Sequence, residues 1–133
     1  MSPEAFAAAA EALLAAPFRL GGRDPATGVD CVGLVACALG PDTEAPLGYG
    51  LRNSCIARQL AFVERAGFVP ASGGQTRGDL ILAAAGPAQH HLLVALGRDR
   101  LVHAHAGLRR VVLHHGPLPW PELARWRLAP VKE

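Results

Sequence analysis

The sequence places its thiols and its imidazoles in different halves of the chain. The three cysteines are Cys31, Cys37 and Cys55, and all six histidines follow residue 89: His90, His91, His103, His105, His114 and His115. Cys31 directly follows Asp30, a good N-cap, and so lies in the first turn of a predicted helix. A helix N-terminus and a nearby imidazolium both lower the pKa of a thiol. Cys31 is therefore the candidate nucleophile.

Each cysteine also has an ordinary structural explanation as a small buried apolar side chain. That explanation suffices for Cys37, in the middle of the predicted helix, and for Cys55. Three cysteines without a CxxC pair predict no disulfide framework. A zinc site built from the histidines is an alternative, but His90 and His91 are neighbours on a strand and point to opposite faces. We therefore predict no metal and no other cofactor.

The elements that must position these residues change in character near the middle of the chain. Helices are predicted between N-cap and stop signals at 2–17, 30–40 and 54–67, and the loops at 18–29 and 41–53 are expected to shape the site. Beyond Gly78 the pattern becomes that of strands, at 80–84, 91–96, 100–105, 108–113 and 125–129. Helices followed by strands predict an α+β fold with a small, mostly antiparallel sheet.

Composition limits the class of protein. The 133 residues fit one domain, half of them are hydrophobic, and 18% are charged, which excludes intrinsic disorder. A net charge of +2 is too small to predict a nucleic-acid partner. No apolar run is long enough to span a membrane, and the acidic start is unlike a secretory signal. The chain is expected to be made in the cytoplasm without an export signal.

Two groups of motifs resemble those of the NlpC/P60 cysteine peptidases. The first comprises PFRLGGR at 17–23 and GVDCVGLV at 28–35, around Cys31. The second comprises GDLIL at 78–82, HLLVALG at 91–97 and LVHA at 101–104. Together they cover about residues 15–115.

The resemblance implies a papain-like fold with the helices packed on the sheet. It also implies a triad in which His91 accepts the proton of the Cys31 thiol and His103 orients the imidazole of His91. Such enzymes cut γ-D-glutamyl linkages in cell-wall (peptidoglycan) peptides, or related amides. By position Asp30 is a candidate substrate contact, although its N-cap role already explains it. A backbone N–H at the start of the helix is a candidate oxyanion donor.

Strand parity alone does not choose between His90 and His91. A two-residue hairpin loop at Arg98 and Asp99 puts His103 on the face of His90. A three-residue loop at 98–100, or a bulge, puts His103 on the face of His91 instead. The spacing typical of the family favours His91.

Phe18 and Val32 depart from the usual pattern of the family, which has tyrosine and serine at these places. The apolar residue after Cys31, the short chain and its Trp-Arg-Leu ending resemble a phage-tail branch that includes gene transfer agents. This implies tail or tail-hub proteins as partners and action on the cell wall after docking of the particle. Two alternatives remain open: a non-catalytic tail-hub or wall-binding module that keeps the fold, and an acyltransferase or amidase with the same Cys–His chemistry.

Overall fold

A computed structural model describes residues 1–46 and 57–130. The helices are α1 (Pro3–Glu11), α2 (Cys31–Leu39) and α3 (Ala57–Arg65). The strands are β1 (Arg23–Asp24), β2 (Gly28–Val29), β3 (Phe68–Pro70), β4 (Leu80–Gly86), β5 (Gln89–Ala95), β6 (Arg100–His105), β7 (Arg110–His115) and β8 (Glu122–Leu128). Strands β3 to β8 form one sheet in the order β3-β8-β4-β5-β6-β7, with every neighbouring pair antiparallel. The predicted α+β class is confirmed.

The two faces of the sheet have different partners, because alternate residues of a strand point to opposite sides. On β4 and β5, Leu82 and Leu92 belong to the large core that also contains residues of all three helices. The intervening residues, such as Ile81 and Leu93, form a smaller cluster against Leu118 and Trp120. Within the described ranges, no helix has the length and apolar character needed to cross a membrane.

Several predicted boundaries were wrong. Helix α1 ends at Glu11 rather than near Pro17, because residues 15–18 instead pair with the edge strand β7, where Ala15 N–H donates to Val111 O at 3.0 Å. The predicted loop at 18–29 contains the short β1–β2 ladder. Strand β3 was not predicted, because its three residues, the last of them a proline, are too few to show an alternating apolar pattern. Ser54 and Cys55 lie outside the described residues.

A buried carboxylate ties β4 to β8. Asp79 is fully buried, and it accepts hydrogen bonds from Arg127 Nε at 2.7 Å, Arg125 Nη1 at 2.9 Å and Thr76 N at 3.0 Å. Burial by itself raises the pKa of Asp79, but these hydrogen bonds outweigh burial and hold the pKa below its ordinary value. The charged carboxylate therefore stabilises the folded chain at neutral pH.

We predict that Asp79→Asn lowers the free energy of unfolding by about 3 kcal/mol at pH 7, since it leaves two arginines without their buried partner. The unfolded chain takes up the proton near pH ~3.9, so the difference from wild type should shrink as the pH falls below about 4. Urea unfolding across this range measures it. Asp42→Asn, at an exposed position, is the control. An equal loss of unfolding free energy in both variants would contradict the prediction. A difference between Asp79→Asn and wild type that does not depend on pH would contradict it as well.

Candidate active site

Asp30 fixes the start of α2, and thereby the position of Cys31. Its Oδ1 accepts from Gly33 N at 2.8 Å, which caps the helix. Its Oδ2 accepts from Gly21 N at 2.7 Å, and Arg23 Nη1 lies 3.1 Å from Oδ1. The side chain is buried, so one carboxylate joins the helix N-terminus to the preceding loop. Cys31, the first residue of α2, has little freedom to move.

The same junction depends on close backbone contact between α2 and the loop. A Cβ atom added to Gly33 would lie 2.0 Å from the carbonyl oxygen of Gly22, and one added to Gly22 would lie 2.1 Å from that of Gly28. Such distances are far inside van der Waals contact. These positions therefore require glycine for reasons of space.

The register between β5 and β6 selects His91. Val94 pairs with Val102 and Ala95 with Leu101, so the hairpin loop has three residues, 97–99. This is neither the two-residue loop nor the loop at 98–100 that the sequence suggested. It nevertheless places His91 and His103 on one face, and His91 Nε2 lies 2.9 Å from His103 Nδ1.

One cavity of about 240 Å³ brings the candidate residues together: Cys31, Asp30, His91 and His103 all line it. Strands β5 and β6 pair through Val94 and Ala95. The cavity lies beyond these paired residues, at the end of the sheet. Leu92, from the helix side of the sheet, lines it as well. The cavity is thus the place where the helix N-terminus and the histidine face meet.

Asp30 lines this cavity but is only 2% exposed, and both of its oxygens are engaged by Gly33, Gly21 and Arg23. The structure shows an N-cap that also holds the loop. Its role as a substrate contact stays a prediction. Among the described residues, no three His, Cys, Asp or Glu side chains are grouped so that they could hold a metal ion.

Trp120 is a site residue that nothing in the sequence singled out. Its ring centroid lies 5.6 Å from that of His91 and 5.8 Å from that of His103, with both pairs nearly perpendicular. It also lines the cavity. Trp120 stands 29 residues beyond His91, in a loop, and no local spacing rule connects the two. Only the pairing of β4 with β8 brings that loop to the site.

The Cys31 thiol and the His91 imidazole are both neutral in the resting site. Burial raises the pKa of the Cys31 thiol to about 11, aided by Asp30 and opposed by the Leu92 and Val32 amides and by Arg23. Burial lowers the pKa of His91 to about 3, and His103 and His105 lower it further. The expected depression of the thiol pKa was therefore wrong. The thiol packs against the large core, and its desolvation outweighs the helix N-terminus.

His103 is similarly neutral. Burial lowers its pKa to about 4, with further lowering by His105 and His114. Within the described residues, the only hydrogen-bond partner of the His91 ring is His103, which it contacts through Nε2. In the same part of the chain, no hydrogen bond joins the Cys31 thiol to an imidazole. Nδ1 of His91 is thus the nitrogen left to accept a proton. Catalytic hydrogen bonds that are missing from a substrate-free site often form only when substrate binds.

A thiol at a helix N-terminus and a hydrogen-bonded histidine pair that line one cavity are groups that nucleophilic cysteine catalysis uses. The chain belongs to the NlpC/P60 family, whose sequence model matches residues 15–117. No curated protein sequence matches it at a significant level.

Solved structures show the same fold. The NlpC/P60 domain of the peptidoglycan hydrolase SagA is 25% identical, with a TM-score of 0.57, over 86% of this chain and 90% of that one. The peptidoglycan hydrolase RipB of Mycobacterium tuberculosis is 22% identical, with a TM-score of 0.62, over 94% of this chain and 63% of RipB. NlpC2 of Trichomonas vaginalis is 16% identical, with a TM-score of 0.65 over 95% of this chain, which spans only 45% of NlpC2.

We predict that Gly33→Ala destabilises the chain, although alanine ordinarily stabilises a helix by about 1 kcal/mol relative to glycine. The added methyl group would collide with Gly22 O and push the start of α2 from the loop. Thermal unfolding measures the effect. Gly74→Ala is the control, because its Cβ would meet no neighbour within 4 Å. A Gly33→Ala variant as stable as wild type would contradict the close contact.

We predict that alkylation of Cys31 by iodoacetamide, followed by tandem mass spectrometry that separates it from Cys37, keeps accelerating up to about pH 11. The reason is that burial holds the thiol in its neutral form. Denatured chain, in which the thiol titrates near ~8.5, provides the reference. A plateau below pH 7 would instead reveal a thiolate–imidazolium pair and disprove the neutral site.

Proposed function

We propose that this chain is a cysteine peptidase that hydrolyses amide bonds in peptidoglycan peptides, with Cys31 as nucleophile, His91 as base and His103 as its orienting partner. The observation that carries the proposal is the 2.9 Å contact between His91 Nε2 and His103 Nδ1 in the cavity that Cys31 lines. The substrate class is supported by the family and by the descriptions of SagA and RipB as peptidoglycan hydrolases.

The contact between the histidines fixes the tautomers that the reaction needs. A neutral imidazole carries one proton, so His91 accepts at Nδ1 only if its Nε2–H donates to His103 Nδ1. His103 then carries its own proton on Nε2. This arrangement is the neutral resting state that burial favours for both rings.

The chemical steps follow from these positions. The Cys31 proton passes to His91 Nδ1 while the sulfur forms a bond with the carbonyl carbon of the scissile amide. The imidazolium gives that proton to the amide nitrogen, the C–N bond breaks, and an amine leaves behind a thioester. Water then attacks the thioester and loses a proton to His91. The acid departs, and the proton returns to the sulfur.

The negative charge that develops on the sulfur is met by fixed dipoles. The backbone amides of Leu92 and Val32 lower the pKa of the thiol, and the thiol stands at the positive end of α2. Because these groups belong to a strand and a helix, they need no reorganisation when the charge forms. They compensate in part for the burial that keeps the resting thiol neutral.

The finer specificity follows the family resemblance. A γ-D-glutamyl linkage is the proposed scissile bond, and Phe18 and Val32 give the cavity apolar walls where relatives commonly have hydroxyl groups. We also propose that the chain acts within a phage-like tail and binds tail-hub proteins. In the structure, however, Trp126 is buried and Arg127 binds Asp79, so the Trp-Arg-Leu segment is explained by the core. Support for the tail comes from the resemblance alone.

We predict that Cys31→Ala abolishes cleavage of purified peptidoglycan peptides and that His91→Ala reduces kcat/KM by about 10²–10⁴, the range typical for loss of a general base. His103→Ala should cost less than His91→Ala, because His103 acts through His91. Chromatography of the cleaved peptides measures all three.

Neighbouring residues provide the controls: Cys37→Ala and His90→Ala should retain most of the activity. Cleavage by Cys31→Ala equal to wild type would eliminate the catalytic proposal. Binding of the peptides without cleavage by the wild-type chain would favour the wall-binding module instead.

A further inference from the structure

Trp120 packs against both histidines of the pair, and the proposed chemistry gives it no role. Its indole is nearly perpendicular to the rings of His91 and His103, at interplanar angles of 88° and 86°. Perpendicular aromatic pairs at these separations attract each other beyond the effect of the area that they bury. One indole thus contacts both members of the hydrogen-bonded pair.

The loop at 116–121 holds the indole firmly. Its sequence, GPLPWP, has three prolines, each of which fixes one backbone angle. Gly116 N donates to Asp99 O at 2.7 Å and Ala84 N donates to Pro121 O at 3.0 Å, so one end is tied to the β5–β6 hairpin loop and the other to β4. His114 Nε2 lies 2.9 Å from Pro117 O, and a carbonyl only accepts, so this nitrogen carries the proton.

We propose that Trp120 is a positioning residue: its indole holds the His91–His103 pair in its bonded arrangement and keeps water away from it. This inference rests on the proposed function for its meaning in catalysis, but the geometry that it describes is present without substrate. Loss of the indole would open the outer side of the pair to solvent and remove the ring that limits its rotation.

Exclusion of water has a measurable consequence, because burial is the largest cause of the low pKa of both imidazoles. The loop itself brings no titratable group to the pair. Among the described residues, the titratable or charged groups of the surrounding elements are Asp30 and Cys31 at the start of α2, His90 from β5, His105 from β6, and His114 and Arg110 from β7. None of these is altered when Trp120 is replaced, so a change in the imidazole pKa reports on the indole.

The test is an NMR titration of histidine ring nitrogens in the whole chain without substrate. We expect Trp120→Ala to raise the titration midpoint of His91 by at least about one pH unit, toward the ordinary value of ~6.5. Trp120→Phe, which keeps a flat ring, should raise it by less than about half a unit. Leu118→Ala is the matched control, because Leu118 packs on the same face of the sheet from the same loop without a ring contact to the histidine pair. The titration midpoint of His91 should not change in this variant.

An unchanged His91 midpoint in a folded Trp120→Ala variant, or an equal shift in Leu118→Ala, would overturn the proposal. If Trp120→Ala does not fold, Trp120→Leu replaces that variant in the test, since leucine fills space without a flat ring. Equal His91 midpoints in the Trp120→Leu and Trp120→Phe variants would overturn the proposal as well. If the wild-type chain cleaves peptides, the acidic limb of the pH profile of kcat/KM should shift together with the His91 midpoint measured by NMR. A chain that cleaves none refutes the proposed function, while the titration still decides the role of Trp120.

Discussion

The candidate site depends first on the register of one hairpin. Side chains alternate across a strand, so a slip of a single residue between β5 and β6 would put His90 instead of His91 on the face of His103. The three-residue loop at 97–99 fixes the register, and the buried residues on both sides of β5 hold it there, because a slip would turn Leu92 and Leu93 to the wrong faces. The histidine pair is thus a consequence of how the core packs.

The second half of the site is fixed independently, at the junction between loop and helix. Asp30 caps α2 and binds the loop, and Gly33 allows the helix to approach within backbone contact. These interactions hold the thiol at the cavity, where it also packs against the core. The result is a thiol and an imidazole that are both neutral at rest. In the proposed mechanism, proton transfer therefore accompanies attack on the substrate instead of preceding it.

Local sequence signals predicted much of this arrangement. The N-cap at Asp30, the stop at Gly40 and the apolar alternation of the strands gave α2 and the order of the main elements, because each signal acts over a few residues. Features that depend on residues distant in the sequence could not be predicted. The end of α1 is decided by pairing with β7, the hairpin register by packing on two faces, and the thiol pKa by burial against the core. Trp120 reaches the histidines only through the sheet topology.

The proposed reaction of the Cys31 sulfur through His91 can be tested with a peptidoglycan stem peptide carrying a chloromethyl ketone at the scissile position. Such a probe alkylates the nucleophile only after binding, and tandem mass spectrometry locates the adduct. We predict one adduct, on Cys31, formed rapidly by wild type and by His90→Ala but slowly by His91→Ala. An adduct on another residue, or on Cys31 at a rate indifferent to His91, would contradict it.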